Sequence, residues 1–320
     1  MIVTPALAAA NNGNWQTARR WARWLSRDCR VRLTDVWASG DEDLMIALHA
    51  RRSSPSMLAW GTAQSQQDGR RPLLLVLTGT DLYRDIERDA SAQQSLHLAD
   101  RLVVLNELGL DRLPAALRGK AGVLLQSSPA RRPAAKTARH LRALMVGHLR
   151  DEKSPQTYFE AARRLAGRPD ILLDHIGAAL DPALGAQAQA LAGACAHYRW
   201  LGAMPHAATR ARIQAAHVLV HASRWEGGAH VVIEAVTAGT PVIASRIDGN
   251  VGLLGADYAG YFDWGDHAAL AALLARARDD AAMLPGLAAQ CAQRAALFSP
   301  EHERQTLMDL VLPLLAHRAA

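Results

Sequence analysis

The chain has 320 residues, half of them hydrophobic, with 36 basic against 30 acidic side chains and a formal net charge of +6. That length suffices for two domains of about 150 residues, and the mild positive balance excludes a dedicated nucleic-acid binder while favouring small anionic partners. Three widely spaced cysteines, Cys29, Cys195 and Cys291, form no paired motif, which excludes a disulfide framework or a cysteine zinc site and fits a reducing cytoplasm.

Short apolar runs alternate with longer amphipathic segments, the pattern of parallel strands joined by crossover helices. In the first half the predicted strands cover residues 2–4, 31–36, 73–77, 102–105 and 123–125. The stretch 127–137, SSPARRPAAKT, holds two prolines and three basic residues without apolar periodicity, and reads as a linker. The strand pattern restarts at 141–147, 171–176, 198–200, 218–221, 241–244 and 260–262, which predicts a second sheet. Ser299 then caps a helix with Pro300 at its first position, running through Leu307, Leu310, Val311 and Leu314. The expected domains are therefore 1–132 and 133–298, with a tail helix, 299–320, folding back toward the first. The first residues lack a basic start, and no apolar run approaches the roughly 18 residues of a membrane span. A soluble, cytoplasmic protein without stable membrane insertion is expected, its oligomeric state open.

Two doubly wound α/β domains facing across a cleft bind ligands at the carboxyl ends of strands, so chemistry is sought just after each strand. After the first strand, ALAAANNGNWQTARRWARWL places Gly13 and Asn14 ahead of a helix, where they could cradle an anion; no G-x-G-x-x-G fingerprint is present. After the third predicted strand, LTGTDLYRD offers Thr80, Asp81 and Arg84 to an acceptor, with Asp81 equally readable as a helix cap. Only three lysines occur, Lys120, Lys136 and Lys153, which raises the question of a compact point charge at each, with random usage as the alternative.

The most informative stretch is SRWEGGAHVVIEAVTAGTPVIAS, residues 223–245. A loop with Ser223 and Glu226 ends in Gly227 and Gly228, before a helix predicted over 229–238. Glycines at a helix start admit a ligand to the backbone, and the free amides favour a phosphate. Glu226 and Glu234 would be repelled by that anion unless they accept hydrogen bonds from hydroxyls, so sugar units on either side of a diphosphate are their natural partners. His230 lies four residues before Glu234 on the same helix face. Glu226 could instead be a solvated loop residue and Glu234 a helix-surface one, but Glu234 is bracketed by Val232, Ile233, Ala235 and Val236. A helix so apolar should be buried, and a buried carboxylate needs partners.

The E-x7-E spacing followed by AGTPVIAS resembles the donor-site signature of the family-4, two-domain (GT-B) nucleotide-sugar glycosyltransferases. The resemblance implies that Glu226 contacts the transferred sugar and Glu234 the ribose. It extends to MVGHLRDEKSPQTYFEAARRL, where Lys153 takes the lysine position of a basic pair that grips the donor diphosphate. His148 stands where that pair has arginine, and Arg150 either compensates or faces solvent. The segments GNWQTARRWARWL, LTGTDLY, VGHLRDEKSP and SRWEGGAHVVIEA further resemble the selenosugar-forming members of the family. These imply UDP-N-acetylglucosamine and selenophosphate as substrates, Glu226, Lys153 and Asp81 at the reacting centre, and no cofactor. Serine and histidine of the donor loop, Ser223 and His230, join Glu234, Gly227, Gly228 and His148 as donor-binding residues. Gly13, Asn14, Thr80 and Arg84 are the acceptor-side set. No acidic metal cluster is legible, so no metal site is expected. A hydroxyl-acceptor hexosyltransferase, a noncatalytic nucleotide-sugar binding module and, more distantly, a two-domain epimerase remain alternatives.

Overall fold

The structure is a computed structural model that describes residues 1–8, 13–64 and 71–316. The predicted loop residues 9–12 lie outside the described residues. The chain forms two compact units: Met1–Gln126 with Glu226–Gly228 and Pro300–Ala320, and Ser127–Trp225 with Ala229–Ser299.

The first unit is built on six parallel strands, β1 (Ile2–Val3), β2 (Leu33–Thr34), β3 (Met45–Leu48), β4 (Leu73–Leu77), β5 (Arg101–Val104) and β6 (Ala121–Val123). Their order is β2-β1-β3-β4-β5-β6. All residues of β3 and β4 are buried, because helices cover both faces of a parallel sheet and the strands must be apolar throughout. Strand β3 was not among the predicted elements. Its sequence, MIAL, contains one β-branched residue and runs within a few residues into the helix Ser54–Gln64, so its composition reads as helical. Of the predicted run 31–36 only Leu33–Thr34 pairs, and Val36 is exposed. Strand β6 lies two residues earlier than predicted.

The helix Pro300–Ala316 belongs to this unit. It buries Leu307 and Val311 and carries Glu303, which is fully buried. The Glu303 carboxylate accepts from Trp21 Nε1 at 2.7 Å and from Arg20 Nη2 at 2.7 Å, both on the helix Gly13–Leu25. A buried carboxylate supplied with an indole N–H and a guanidinium is satisfied, and it fixes the tail helix to the first helix.

The second unit carries β7 (Leu141–Val146), β8 (Ile171–Ile176), β9 (Tyr198–Trp200), β10 (Val218–His221), β11 (Val242–Ser245) and β12 (Tyr261–Phe262), all parallel. Their order is β12-β11-β10-β7-β8-β9. Counted within the unit this is the 3-2-1-4-5-6 order of dinucleotide-binding sheets read from the other edge, with its switch point between β7 and β10. In sheets of this order, ligands bind at the carboxyl ends of the two strands that flank the switch point. The ends of β7 and β8 approach closely: a Cβ on Gly177 would stand 1.9 Å from the Gly147 carbonyl oxygen, so only glycine fits there. No helix among the described residues is long and apolar enough to cross a membrane.

Candidate active site

In the second unit, the loop after β7 holds His148 and Lys153. It is stiffened by a short turn, Asp151–Lys153, and by Ser154, whose φ of 47° places a non-glycine residue in the left-handed region. Trp264 Nε1 donates to Ser154 Oγ at 2.8 Å, and Arg224 N–H donates to the Glu152 carbonyl at 2.9 Å. The aliphatic stem of Lys153 packs over Gly147, where an added Cβ would lie 3.5 Å from Lys153 Cγ. The lysine is thus led along the end of β7.

His148 departs from the charge contact expected of it. Its Nδ1 accepts from the Ala178 N–H at 3.0 Å, which requires that nitrogen to be unprotonated. Burial, then the charges of Arg150 and Lys153, hold its pKa below the usual imidazole value. His148 offers a ligand a neutral Nε2–H rather than a cation. Arg150 is half-exposed, with Nε 3.9 Å from Glu152 Oε2.

After β10, Ser223 is buried rather than open to a ligand. Its Oγ lies 3.3 Å from His221 Nε2 and its carbonyl accepts from Ser245 Oγ at 2.6 Å. Ser223 positions the loop. The helix that follows spans His230–Val236, shorter than predicted, and buries Val232 through Val236 including Glu234. The apolar face around Glu234 therefore has the consequence anticipated from sequence, a buried carboxylate with partners.

Those partners come from two helices. His206 Nε2 lies 2.5 Å from Glu234 Oε1, His230 Nδ1 lies 3.3 Å from it, and Arg210 Nε lies 3.8 Å from it. Burial alone would raise the Glu234 pKa, but the hydrogen bonds from His206 and His230 prevail and lower it to about 2. Glu234 is an ionised acceptor at neutral pH. His206 and Arg210 sit in the helix His206–Ala215, whose sequence, HAATRARIQA, carries no motif that would have singled them out. His206, His230 and Glu234 present ligand atoms within 4.8 Å of one another, the one group of three among the described residues that could hold a metal ion.

The tripeptide Glu226–Gly228 groups with the first unit, so Glu226 and Glu234 belong to different units. Asn106, fully buried, donates through Nδ2 to the Gly227 carbonyl at 2.7 Å and to Tyr83 Oη at 2.8 Å. A Cβ on Gly227 would lie 2.5 Å from the Thr78 carbonyl oxygen, and one on Gly228 would lie 2.8 Å from Gln126 Oε1. Gly227 is demanded by close packing of backbone on backbone, and Gly228 lies under the side chains of Gln126 and Leu105, reasons distinct from the ligand access expected of them.

Also in the first unit, Asp81 is fully buried. Its Oδ1 accepts from Thr78 N–H at 2.9 Å and Gly79 N–H at 2.8 Å, and its Oδ2 from Ala50 N–H at 2.9 Å. With three backbone amides on it, the carboxylate has no face for a substrate, which corrects its expected place at the reacting centre. Its alternative reading as a helix cap is nearer, except that two donors lie upstream and the third on the β3 loop. Thr80 Oγ1 meets His49 Nε2 at 3.3 Å. His49 Nδ1 accepts from Arg52 N–H at 3.3 Å, so its proton is on Nε2 and Thr80 accepts it. His49, at φ 76° after the unpredicted β3, was missed with that strand. Arg84 lies in a single π-helical turn, Asp81–Asp85, and donates to Asp85 Oδ1 at 2.9 Å. Gly13 opens its helix, and a Cβ added there would meet no atom of the described residues within 4 Å beyond its chain neighbours; Asn14 beside it is half-buried.

A family model described as Glycosyl transferases group 1 matches residues 126–297, more than half of the chain. No curated protein matches it. Among solved structures, sucrose-phosphate synthase from Thermosynechococcus elongatus is 21% identical with a TM-score of 0.69, over 86% of this chain and 74% of its own. HepE from Anabaena, solved with UDP and glucose, is 15% identical with a TM-score of 0.68, over 91% of this chain and 88% of its own. A variant of TarM from S. aureus, solved with fondaparinux, alpha-GlcNAc-glycerol and UDP, is 12% identical with a TM-score of 0.66, over 85% of this chain. The chain spans 55% of the length of TarM. At these identities the likeness is one of fold, two Rossmann-like α/β domains of the GT-B type.

Proposed function

Because the chain belongs to the glycosyl transferase group 1 family, we propose that it transfers N-acetylglucosamine from UDP-N-acetylglucosamine to selenophosphate, as a selenosugar synthase. The observation that carries the donor half is Glu234, an ionised acceptor held by partners on side chains rather than backbone. When the half-exposed His206 swings aside, the carboxylate meets the ribose hydroxyls. Lys153 receives the diphosphate, with the neutral Nε2–H of His148 as a further donor. Glu226 contacts the transferred sugar. The complexes of HepE and TarM with UDP support a uridine nucleotide in this fold.

The acceptor half rests on the LTGTDLY and VGHLRDEKSP segments. Selenium in selenophosphate is already anionic, so no general base is needed; offsetting the repulsion between two phosphate-bearing reactants is the larger task. A selenium lone pair forms the C1–Se bond as the C1–O bond breaks and its electron pair leaves with UDP. Water then cleaves the P–Se bond, releasing phosphate and the 1-selenosugar. Gly13, Asn14, Thr80 and Arg84 are the acceptor-side residues of this reading, and Asp81 shapes their loop. Turnover in the presence of chelator is part of the proposal.

Mass spectrometry of purified protein with UDP-N-acetylglucosamine and freshly generated selenophosphate tests it, with phosphate and thiophosphate as controls. A selenohexosamine appearing with stoichiometric UDP is expected. Transfer to hydroxyl acceptors alone would make the protein an ordinary hexosyltransferase, and UDP-sugar binding with no turnover would make it a binding module.

A further inference from the structure

Glu234 and its two histidines have a geometry that ribose binding does not require. His230 Nε2 lies 3.1 Å from the Ser127 carbonyl oxygen. A carbonyl only accepts, so Nε2 carries a proton, and the other ring nitrogen, Nδ1, lies 3.3 Å from Glu234 Oε1. A proton between Nδ1 and the carboxylate joins the two, and a divalent cation can take that proton's place. An imidazole whose far N–H is anchored on a backbone carbonyl is also the arrangement in which proteins orient metal-binding histidines.

We propose that His206 Nε2, His230 Nδ1 and Glu234 Oε1 form a three-ligand site for a first-row divalent transition metal, Zn²⁺ foremost. Two imidazoles and one carboxylate, with a fourth position left open, are a donor set that zinc accepts. Bond lengths of about 2.0–2.1 Å to nitrogen and oxygen give tetrahedral edges of about 3.3–3.4 Å. The spacing between His230 and Glu234 already has that length, 3.3 Å. His206 lies at 2.5 Å and has to open by less than an ångström; its side chain is 46% exposed and has room to do so. Glu234 and His230 are one turn apart on a single helix, so two of the three ligands are preset. Arg210, with Nε 3.8 Å from the same oxygen, opposes a second cation and keeps the site weaker than a structural zinc centre. Nothing in the transfer reaction uses this metal. The site's consequence is competition, because zinc and a nucleotide ribose would both need Glu234; that competition rests on the proposed donor role of Glu234.

Cobalt(II) is the probe, since its visible absorption reports coordination number and ligand exchange. Full-length protein titrated with Co²⁺ is expected to give the intense bands of a four-coordinate ion at one equivalent, displaced by one equivalent of Zn²⁺. His206→Ala, a change at an exposed ring checked for fold by circular dichroism, is expected to weaken binding by at least about tenfold. Glu234→Gln should do the same. Equal binding by wild type and both variants, or only the pale spectrum of octahedral cobalt, overturns the site. UDP added to the cobalt form is expected to release the ion. Cobalt retained at saturating UDP would overturn the competition and the ribose role of Glu234 while leaving the metal site intact.

Discussion

Asp81 and Glu234 are both buried carboxylates, with 0% and 3% exposure, yet they are satisfied by different kinds of donor. Asp81 is held by three backbone amides, which cannot leave without unmaking the β3 and β4 loops. Glu234 is held by histidine side chains, of which His206 is half-exposed and has room to swing aside for a ligand. Burial and charge alone do not mark a functional acid. A binding group must also exchange one set of hydrogen bonds for another at little cost, which an exposed side-chain partner permits and a set of backbone amides does not.

Substitutions at three positions separate structural from binding roles. The largest effect is expected at Asp81. Replacing it with asparagine leaves amides facing an NH2 group, and urea denaturation should show a loss of about 3–4 kcal/mol with UDP affinity of the folded protein retained. If instead stability held and UDP affinity fell, Asp81 would be the ligand group.

Next comes Gly227→Ala, whose Cβ would collide with the Thr78 carbonyl at 2.5 Å. Forcing those backbones apart should cost about 1–3 kcal/mol in thermal or urea unfolding. A neutral outcome would show that the two backbones separate at little cost and that packing does not demand glycine there.

The smallest expected effect is at His148. Its folded pKa is depressed below the ordinary imidazole value of 6.5, so the unfolded state takes up protons first as pH falls. The contribution of His148 is therefore full above 6.5 and lost with acidification through that value and below it. Wild type should lose about 1 kcal/mol relative to His148→Ala over that window, the worth of the hydrogen bond from Ala178. A pH-independent difference between the two would contradict a neutral, accepting His148.

Much of this was legible in the sequence, for identifiable reasons. Every strand of the second unit lies within a residue of its predicted position, and its central strands β10 and β11, buried throughout, stand out as apolar runs. The burial of Glu234 followed from the apolar helix around it. Strand β3 did not stand out, since Met45 and Ala47 carry no strand preference and a helix follows closely; His49 was lost with it. His206 and Arg210 were illegible because they reach Glu234 only through packing of one helix against another, a contact with no local sequence signal. Asp81 was misplaced because its donors, Thr78, Gly79 and Ala50, depend on how the chain curls back, and spacing alone does not reveal that.

The most direct test of the difference between the two carboxylates is calorimetric titration of UDP into wild type and Glu234→Gln, each confirmed folded at the working temperature. The variant is expected to bind UDP about tenfold to a hundredfold more weakly, the loss of one charge-assisted hydrogen-bonding group at the ribose. Unchanged UDP affinity in the variant would contradict it and leave Glu234 as a second structural acid.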